Sequence, residues 1–213
     1  MGKNYQGING NWSGKIGPTV GRQKNGRTIT AIYQPIVQNP KTAKQTKARK
    51  YFSLIAGVFR TMSGWADLMT KGLRKYGTAW SNLLFINMDY DNTIGGSAPN
   101  YEIRYDNLEL SRGNLLNGQS PSAVVEGNTI TVSWTDNTDN LAAFATDIAC
   151  IATHNAVKEQ WVYTLNGGNR STRQGTLTVP SAWSGDSVDV YISFRKFEDD
   201  VVSPSVYVGN FSI

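Results

Sequence analysis

The spacing of apolar positions changes once along the chain. Ala48, Phe52, Ile55, Phe59 and Met62 recur at intervals of four and three, which is one apolar stripe of an α-helix. Asn39-Pro40 marks where that helix opens, because Asn caps free N–H groups and Pro suits the first helical position. Ser63-Gly64 interrupts the pattern, and Trp65 to Tyr76 predicts a second, shorter helix with Leu68, Met69 and Leu73 turned inward. Ahead of the helices, residues 15–22 and 27–33 are β-prone and flank Lys24-Asn25-Gly26. Asn-Gly between strands is a strong hairpin signal, since a type I′ turn needs positive φ at both central residues. A lone hairpin is marginal in water, so this one is expected to pair with or pack on something else. Residues 1–13 are rich in Gly and Asn and predict an extended arm with Tyr5 and Trp12 as its anchors.

Beyond residue 100 the pattern becomes short alternating runs between turns, at 101–110, 129–134, 143–153, 160–165, 175–179, 188–197 and 201–208. Val190, Ile192 and Phe194 share one face there, with Asp189, Tyr191 and Ser193 opposite. Trp134 and Trp161 are expected in the core, and Glu198-Asp199-Asp200 at the tip of the last hairpin. Seven such runs in about 110 residues is the signature of an immunoglobulin-like sandwich. Residues 77–100, ending in Gly95-Gly96-Ser97-Ala98-Pro99, are expected to be a linker or long loop. The expected fold is therefore mainly β: an N-terminal arm with a β-hairpin and two helices over residues 1–100, then an immunoglobulin-like β-sandwich over 101–213.

Charge adds a second asymmetry. Residues 1–80 hold 14 of the 21 Lys and Arg and one acid, Asp67, whereas 81–213 hold 7 basic and 15 acidic residues. The net charges are +13 and −8. Segments of opposite sign suggest two units with different tasks, the basic one docking on something acidic. Lys41, Lys44, Lys47, Arg49 and Lys50 crowd the start of the first helix, where cations oppose the helix dipole. Charge tolerated there is charge available for a partner. Arg22, Lys24, Arg27, Lys44, Lys47 and Lys50 are the candidate docking residues. Nucleic acid is the alternative acidic partner, but no nucleic-acid-binding motif accompanies these cations, so docking on acidic protein is the favoured reading.

Candidate chemistry changes little. Cys150 is the one cysteine, so the chain forms no internal disulfide, and it sits in an apolar run as a buried small hydrophobe. His154, the one histidine, follows that run and is expected at the surface or a strand end. Gly167-Gly168-Asn169-Arg170-Ser171 lacks the spacing of a phosphate loop and predicts a hairpin turn. Asp89, Asp91 and Asn92, and Asp136, Asn137, Asp139 and Asn140, gather oxygens without an EF-hand's glycine and glutamate, and fit turn chemistry better than calcium. No catalytic residue, cofactor or metal is expected, and the chain is not expected to be an enzyme. Trp183 beside Ser184-Gly185 is the expected exposed aromatic should the sandwich loops bind a carbohydrate or another surface. The N-terminus lacks the apolar core of a secretory signal, and no stretch reaches the roughly 20 apolar residues of a membrane span. The expectation is a protein that leaves its compartment only within an assembly.

These segments together resemble a family of uncharacterised proteins from Bacteroidetes bacteria and their phages. The resemblance is carried by the glycine-framed entry Gly14-Lys15-Ile16-Gly17-Pro18-Thr19-Val20-Gly21-Arg22 and by Asn39-Pro40-Lys41-Thr42 with Gln45, Arg49 and Phe52. Leu108-Glu109-Leu110-Ser111-Arg112-Gly113, Ile130-Thr131-Val132-Ser133-Trp134, Asp147, Leu177-Thr178-Val179-Pro180 and the run from Val202 to Gly209 continue it. It implies no catalytic residue. It does imply a bacterial or phage origin, which fits a virion role. With the charge split, the Gly/Asn-rich arm, the low total charge and the absence of catalytic chemistry, the expectation is a virion structural protein made in the bacterial cytoplasm, a ring, collar, tail or head-decoration subunit, with copies of itself and other virion proteins as partners.

Overall fold

The computed structural model describes residues 2–4, 12–24, 27–36, 39–70, 72–73, 77–88, 90–138, 142–197 and 200–213. It is mainly β, with four antiparallel sheets, and it divides into two compact units, Met1–Thr42 and Ala43–Ile213.

The first unit is a four-stranded sheet of order β1-β4-β3-β2, built from β1 (Gly2–Asn4), β2 (Gly14–Ile16), β3 (Thr19–Lys24) and β4 (Arg27–Ile32). The stretch expected as one strand over 15–22 is instead a second hairpin. Gly17 at φ +57 turns the chain before Pro18, and the Thr19 hydroxyl donates to the Ile16 carbonyl at 2.9 Å. Lys24 pairs with Arg27 across the expected hairpin, whose Asn25-Gly26 turn lies outside the described residues.

The second unit begins with α1 (Ala43–Val58), followed after one 3-10 turn by α2 (Ser63–Met69). Ile55, Phe59 and Met62 are buried as their spacing predicts, but the stripe is rotated: Tyr51 is buried, while Phe52 is 44% exposed. Tyr51 meets the edge of the Tyr101 ring at 4.8 Å, a contact the isolated helix does not reveal. α2 ends at Met69, short of the expected Tyr76, with Trp65, Ala66 and Met69 inward and Leu68 and Leu73 partly buried.

Residues expected as a linker form α3 (Ala79–Ile86) and α4 (Tyr90–Thr93), then the hairpin of β5 (Ile94–Ser97) and β6 (Asn100–Ile103). Leu83, Leu84 and Ile86 of α3 are core residues, and Thr78 caps the helix by accepting from the Ser81 N–H at 3.2 Å. Apolar burial against the sheet outweighs the glycine-rich composition of the segment that follows.

The remaining strands form two sheets. One has the order β11-β8-β7, from β7 (Gln119–Glu126), β8 (Thr129–Thr135) and β11 (Gln174–Thr178). The other has the order β10-β9-β12-β13, from β9 (Ile148–Asn155), β10 (Gln160–Thr164), β12 (Ser187–Arg195) and β13 (Val206–Ser212). β7 replaces the expected strand over 101–110, whose first part pairs with β5 instead. Glu198 and Asp199, expected at the last hairpin tip, lie outside the described residues.

Two cores flank the four-stranded sheet. Val188, Val190, Ile192 and Phe194 of β12 face Ile130, Val132 and Trp134 of β8. Tyr191 of β12, with Cys150 and Ala152 of β9, faces the helices. β9 is buried along its whole length for this reason. The expected boundary near residue 100 falls inside this unit, because Phe59, Trp65 and Leu83 share one core with Cys150, Trp161 and Tyr191. Trp161 also ties α1 to β10 by donating its indole N–H to the Val58 carbonyl at 2.8 Å. Among the described residues no helix is long and apolar enough to cross a membrane.

Candidate docking surface

The N-terminal sheet has two unlike faces. Strand alternation and the pairing of Val20 with Ala31 and Arg22 with Ile29 put Val20, Arg22, Lys24, Ile29, Ala31 and Tyr33 on one side, joined by Lys15, opposite Val20. The Lys15 ammonium lies 3.7 Å from the centre of the Tyr33 ring, a close cation–π contact. Ile16, Thr19, Gly21, Thr30 and Ile32 occupy the other side. Trp12 lies over Gly21 there, so close that a Cβ on Gly21 would stand 2.6 Å from the indole.

No described residue of this unit is a buried apolar side chain. Ile32 and Ile36 are 78% and 81% exposed, and Ile16 is also exposed. An open groove of about 1050 Å³ runs over β3 and β4, lined by Val20, Arg22, Lys24, Ile29 and Tyr33. The 42 residues carry six cations and no acid. A small sheet that buries so little apolar surface is marginal by itself.

Of the candidate docking residues, Arg22 and Lys24 stand exposed on β3, whereas Arg27 opens β4 and its side chain lies outside the described set. Lys44, Lys47 and Lys50 belong to the other unit, on the first turns of α1, all exposed. The Lys47 ammonium lies 5.2 Å from the centre of the Tyr51 ring. With Lys50, Thr46, Pro99 and Tyr101 it borders a shallow cavity of about 490 Å³. The six residues thus form two basic clusters, one on each compact unit.

Ala43–Ile213 also carries an acidic patch that sequence reasoning missed. The hydroxyls of Tyr105, Tyr191 and Tyr207 all have raised pKa values, from burial first and then from carboxylates: Asp189 for all three, Glu159 for Tyr105, and Asp106 for Tyr191 and Tyr207. Asp189 is buried and accepts from the Tyr207 hydroxyl at 2.9 Å and the Asn210 amide at 3.0 Å, while Asp106 and Glu159 are exposed. A cavity of about 190 Å³, lined by Ser53, Ile103, Tyr105, His154 and Glu159 among others, opens beside them. The missed signal is pleat arithmetic: Asp189 and His154 are register partners on β12 and β9, so they stand side by side on one face of the sheet.

Two expectations are corrected here. Trp183 is 1% exposed and packs in the core between the two sheets, because its 3-10 turn folds inward. His154 stands near the end of β9, one of the two expected places, but not at the surface: it is 2% exposed, between the rings of Tyr105 at 4.7 Å and Trp161 at 4.6 Å. Desolvation lowers its pKa to about 4, so the imidazole is neutral at neutral pH. Cys150 is buried as expected, and burial pushes its thiol up to about 12, far from a reactive thiolate.

The remaining oxygen-rich loops are structural where described. Asp136 accepts from the Thr138 N–H at 3.1 Å and pairs with Arg173, and Asn137 bonds the Asn117 carbonyl and Arg170. Asp89, Asp139, Asn140 and the Asp91 side chain lie outside the described residues. Among the described residues no group of three or more His, Cys, Asp or Glu is placed to hold a metal ion.

The chain belongs to the family of unknown function DUF6266, which matches residues 10–209. No curated protein matches the chain.

Proposed function

We propose that this chain is a non-enzymatic structural subunit of a repetitive assembly and docks through its basic N-terminal unit. The observation that carries the reading is the sheet of Met1–Thr42, which has no buried apolar side chain among its described residues, no acidic residue, and a face of alternating cations and apolar groups. Such a face suits an acidic protein surface, where apolar contact holds and charge selects. The Ala43–Ile213 unit is read as an immunoglobulin-like sandwich on a helical support. The strand orders β11-β8-β7 and β10-β9-β12-β13, and the shared core between them, favour that reading. A bacteriophage particle is the proposed setting, on the strength of the sequence resemblance. A carbohydrate-binding module is less favoured, because Trp183 is buried.

The test is titration of the full chain with poly-L-glutamate and with duplex DNA at matched ionic strength. Docking on acidic protein predicts binding of the polypeptide that is lost in the Arg22→Glu/Lys24→Glu variant. Binding of DNA alone, with a steep salt dependence, moves the function to nucleic acid. Binding of neither ligand overturns the docking role.

A further inference from the structure

We propose that the basic and apolar face of the N-terminal sheet docks on the acidic patch around Asp106 and Glu159 of a second copy of this chain. The inference rests on the docking function above and names its partner.

Charge complementarity is the first argument. The sheet unit has six cations and no acid, whereas residues 81–213 carry a net charge of −8. Within that acidic part, Asp189 acts on Tyr105, Tyr191 and Tyr207, Glu159 on Tyr105, and Asp106 on Tyr191 and Tyr207. Among the described residues neither Asp106 nor Glu159 takes part in an ion pair.

The local shape is the second argument. The cavity beside Glu159 has room, at about 190 Å³, for the end of one long basic side chain. Tyr105 lines it with an aromatic ring, a favourable neighbour for a cation. The uncharged imidazole of His154 does not repel that cation, as a charged one would. Glu159 is held at φ +51, a left-handed conformation that costs energy for a residue with a side chain. The turn between β9 and β10 therefore places Glu159 along the cavity on a strained backbone.

The groove on the sheet suits a protein better than a nucleic acid. Single strands need aromatic faces on which bases stack. Tyr33 is the aromatic residue among the described residues that line this groove, and its ring already carries the Lys15 ammonium. Because the two surfaces are different patches of one chain, the contact is heterologous, and successive copies close into a ring or extend as a filament.

A charge swap tests this with full-length chains, read by sedimentation velocity and light scattering. One variant is Arg22→Glu/Lys24→Glu, the other Asp106→Lys/Glu159→Lys. All four positions are exposed, and circular dichroism checks that both variants fold. Wild type is expected to associate, and each variant alone to associate at least about tenfold more weakly, as like charges face each other. Mixing the two variants should restore assembly, because each altered surface then meets its complement. If the variants associate as wild type does, or the mixture shows no rescue, the inference is overturned. A wild-type chain that stays monomeric yet binds poly-L-glutamate overturns this inference and leaves the docking function standing. A chain that does neither overturns both.

Discussion

Arg170 and Asp147 form an ion pair in which neither side chain reaches solvent, with 3.0 Å between Nε and Oδ2. The guanidinium also donates to the Asn137 side-chain oxygen at 2.9 Å and the Leu116 carbonyl at 2.6 Å, and it lies 4.0 Å from the Phe194 ring centre. Asp147 accepts a further bond from the Phe144 N–H at 2.8 Å, and the Arg170 carbonyl accepts from the Trp134 indole at 3.0 Å. One buried pair thus fastens several loops to the end of the core. Removing one partner leaves a buried charge uncompensated, which costs about 3–5 kcal/mol, whereas replacing both by apolar groups is often tolerated. Asp147→Ala is expected to lower the unfolding free energy by that amount in urea denaturation. Asp147→Leu with Arg170→Met should recover most of the loss.

His154 gives the stability a defined dependence on pH. The folded chain keeps its imidazole neutral down to about pH 4, whereas the unfolded chain protonates it near pH 6.5. Between those values the unfolded state binds the extra proton. The contribution is therefore complete above about pH 6.5 and is lost as the pH falls to about 4, by about 3 kcal/mol in all. His154→Phe retains a flat ring between Tyr105 and Trp161 and removes the titration. The stability difference between wild type and variant should shift against wild type over that window and be flat above it. Parallel curves from pH 7 to pH 4 would sink the assignment.

The same residue shows where the sequence is legible. Strands β8 to β12 follow from alternation, because one face of each meets the core between the sheets. The opposite face of β12 is harder: Asp189, Tyr191 and Ser193 look solvent-facing, yet all three are buried, Tyr191 in the core shared with the helices and Asp189 bonded by Tyr207 and Asn210. His154, on the neighbouring strand, is legible as a strand-end residue, but its burial between two aromatic rings is not. Strand β7 escapes notice because Pro121 argues against a strand, although an edge position tolerates it. The candidate docking residues are legible as charge. Their separation into two clusters is not, since it depends on the division at Thr42. The acidic patch needs the register of β9 and β12, which no single segment encodes.

Gly21 and Trp12 give a test confined to the N-terminal unit. The half-buried indole lies where a Gly21 side chain would be, so Gly21→Val should displace it. With no buried apolar side chain described in that unit, the contact is a main source of its cohesion. Amides of β3 and β4 should exchange hydrogen faster in the variant by about tenfold, the effect of losing roughly 1.4 kcal/mol of local stability. Amides of β9 and β12, in the other unit, should be unchanged. Equal exchange in both proteins would show that Trp12 does not hold the sheet.

Lys44 tests whether charge is kept on α1 at a cost in stability. It is the second residue of a helix with no acid in its first turn, and it is exposed. A cation there faces the positive end of the helix dipole, and an anion is favoured at the same place by about 0.3–1 kcal/mol. Lys44→Glu is therefore expected to raise the unfolding free energy by about that amount at low salt, with the gain shrinking as salt is added. The same substitution should weaken binding of acidic polypeptide, because it removes a cation from the basic cluster on this unit. A variant that is both more stable and a poorer binder identifies the lysine as one held for a partner rather than for the fold. A variant that gains stability with binding unchanged removes Lys44 from the docking surface.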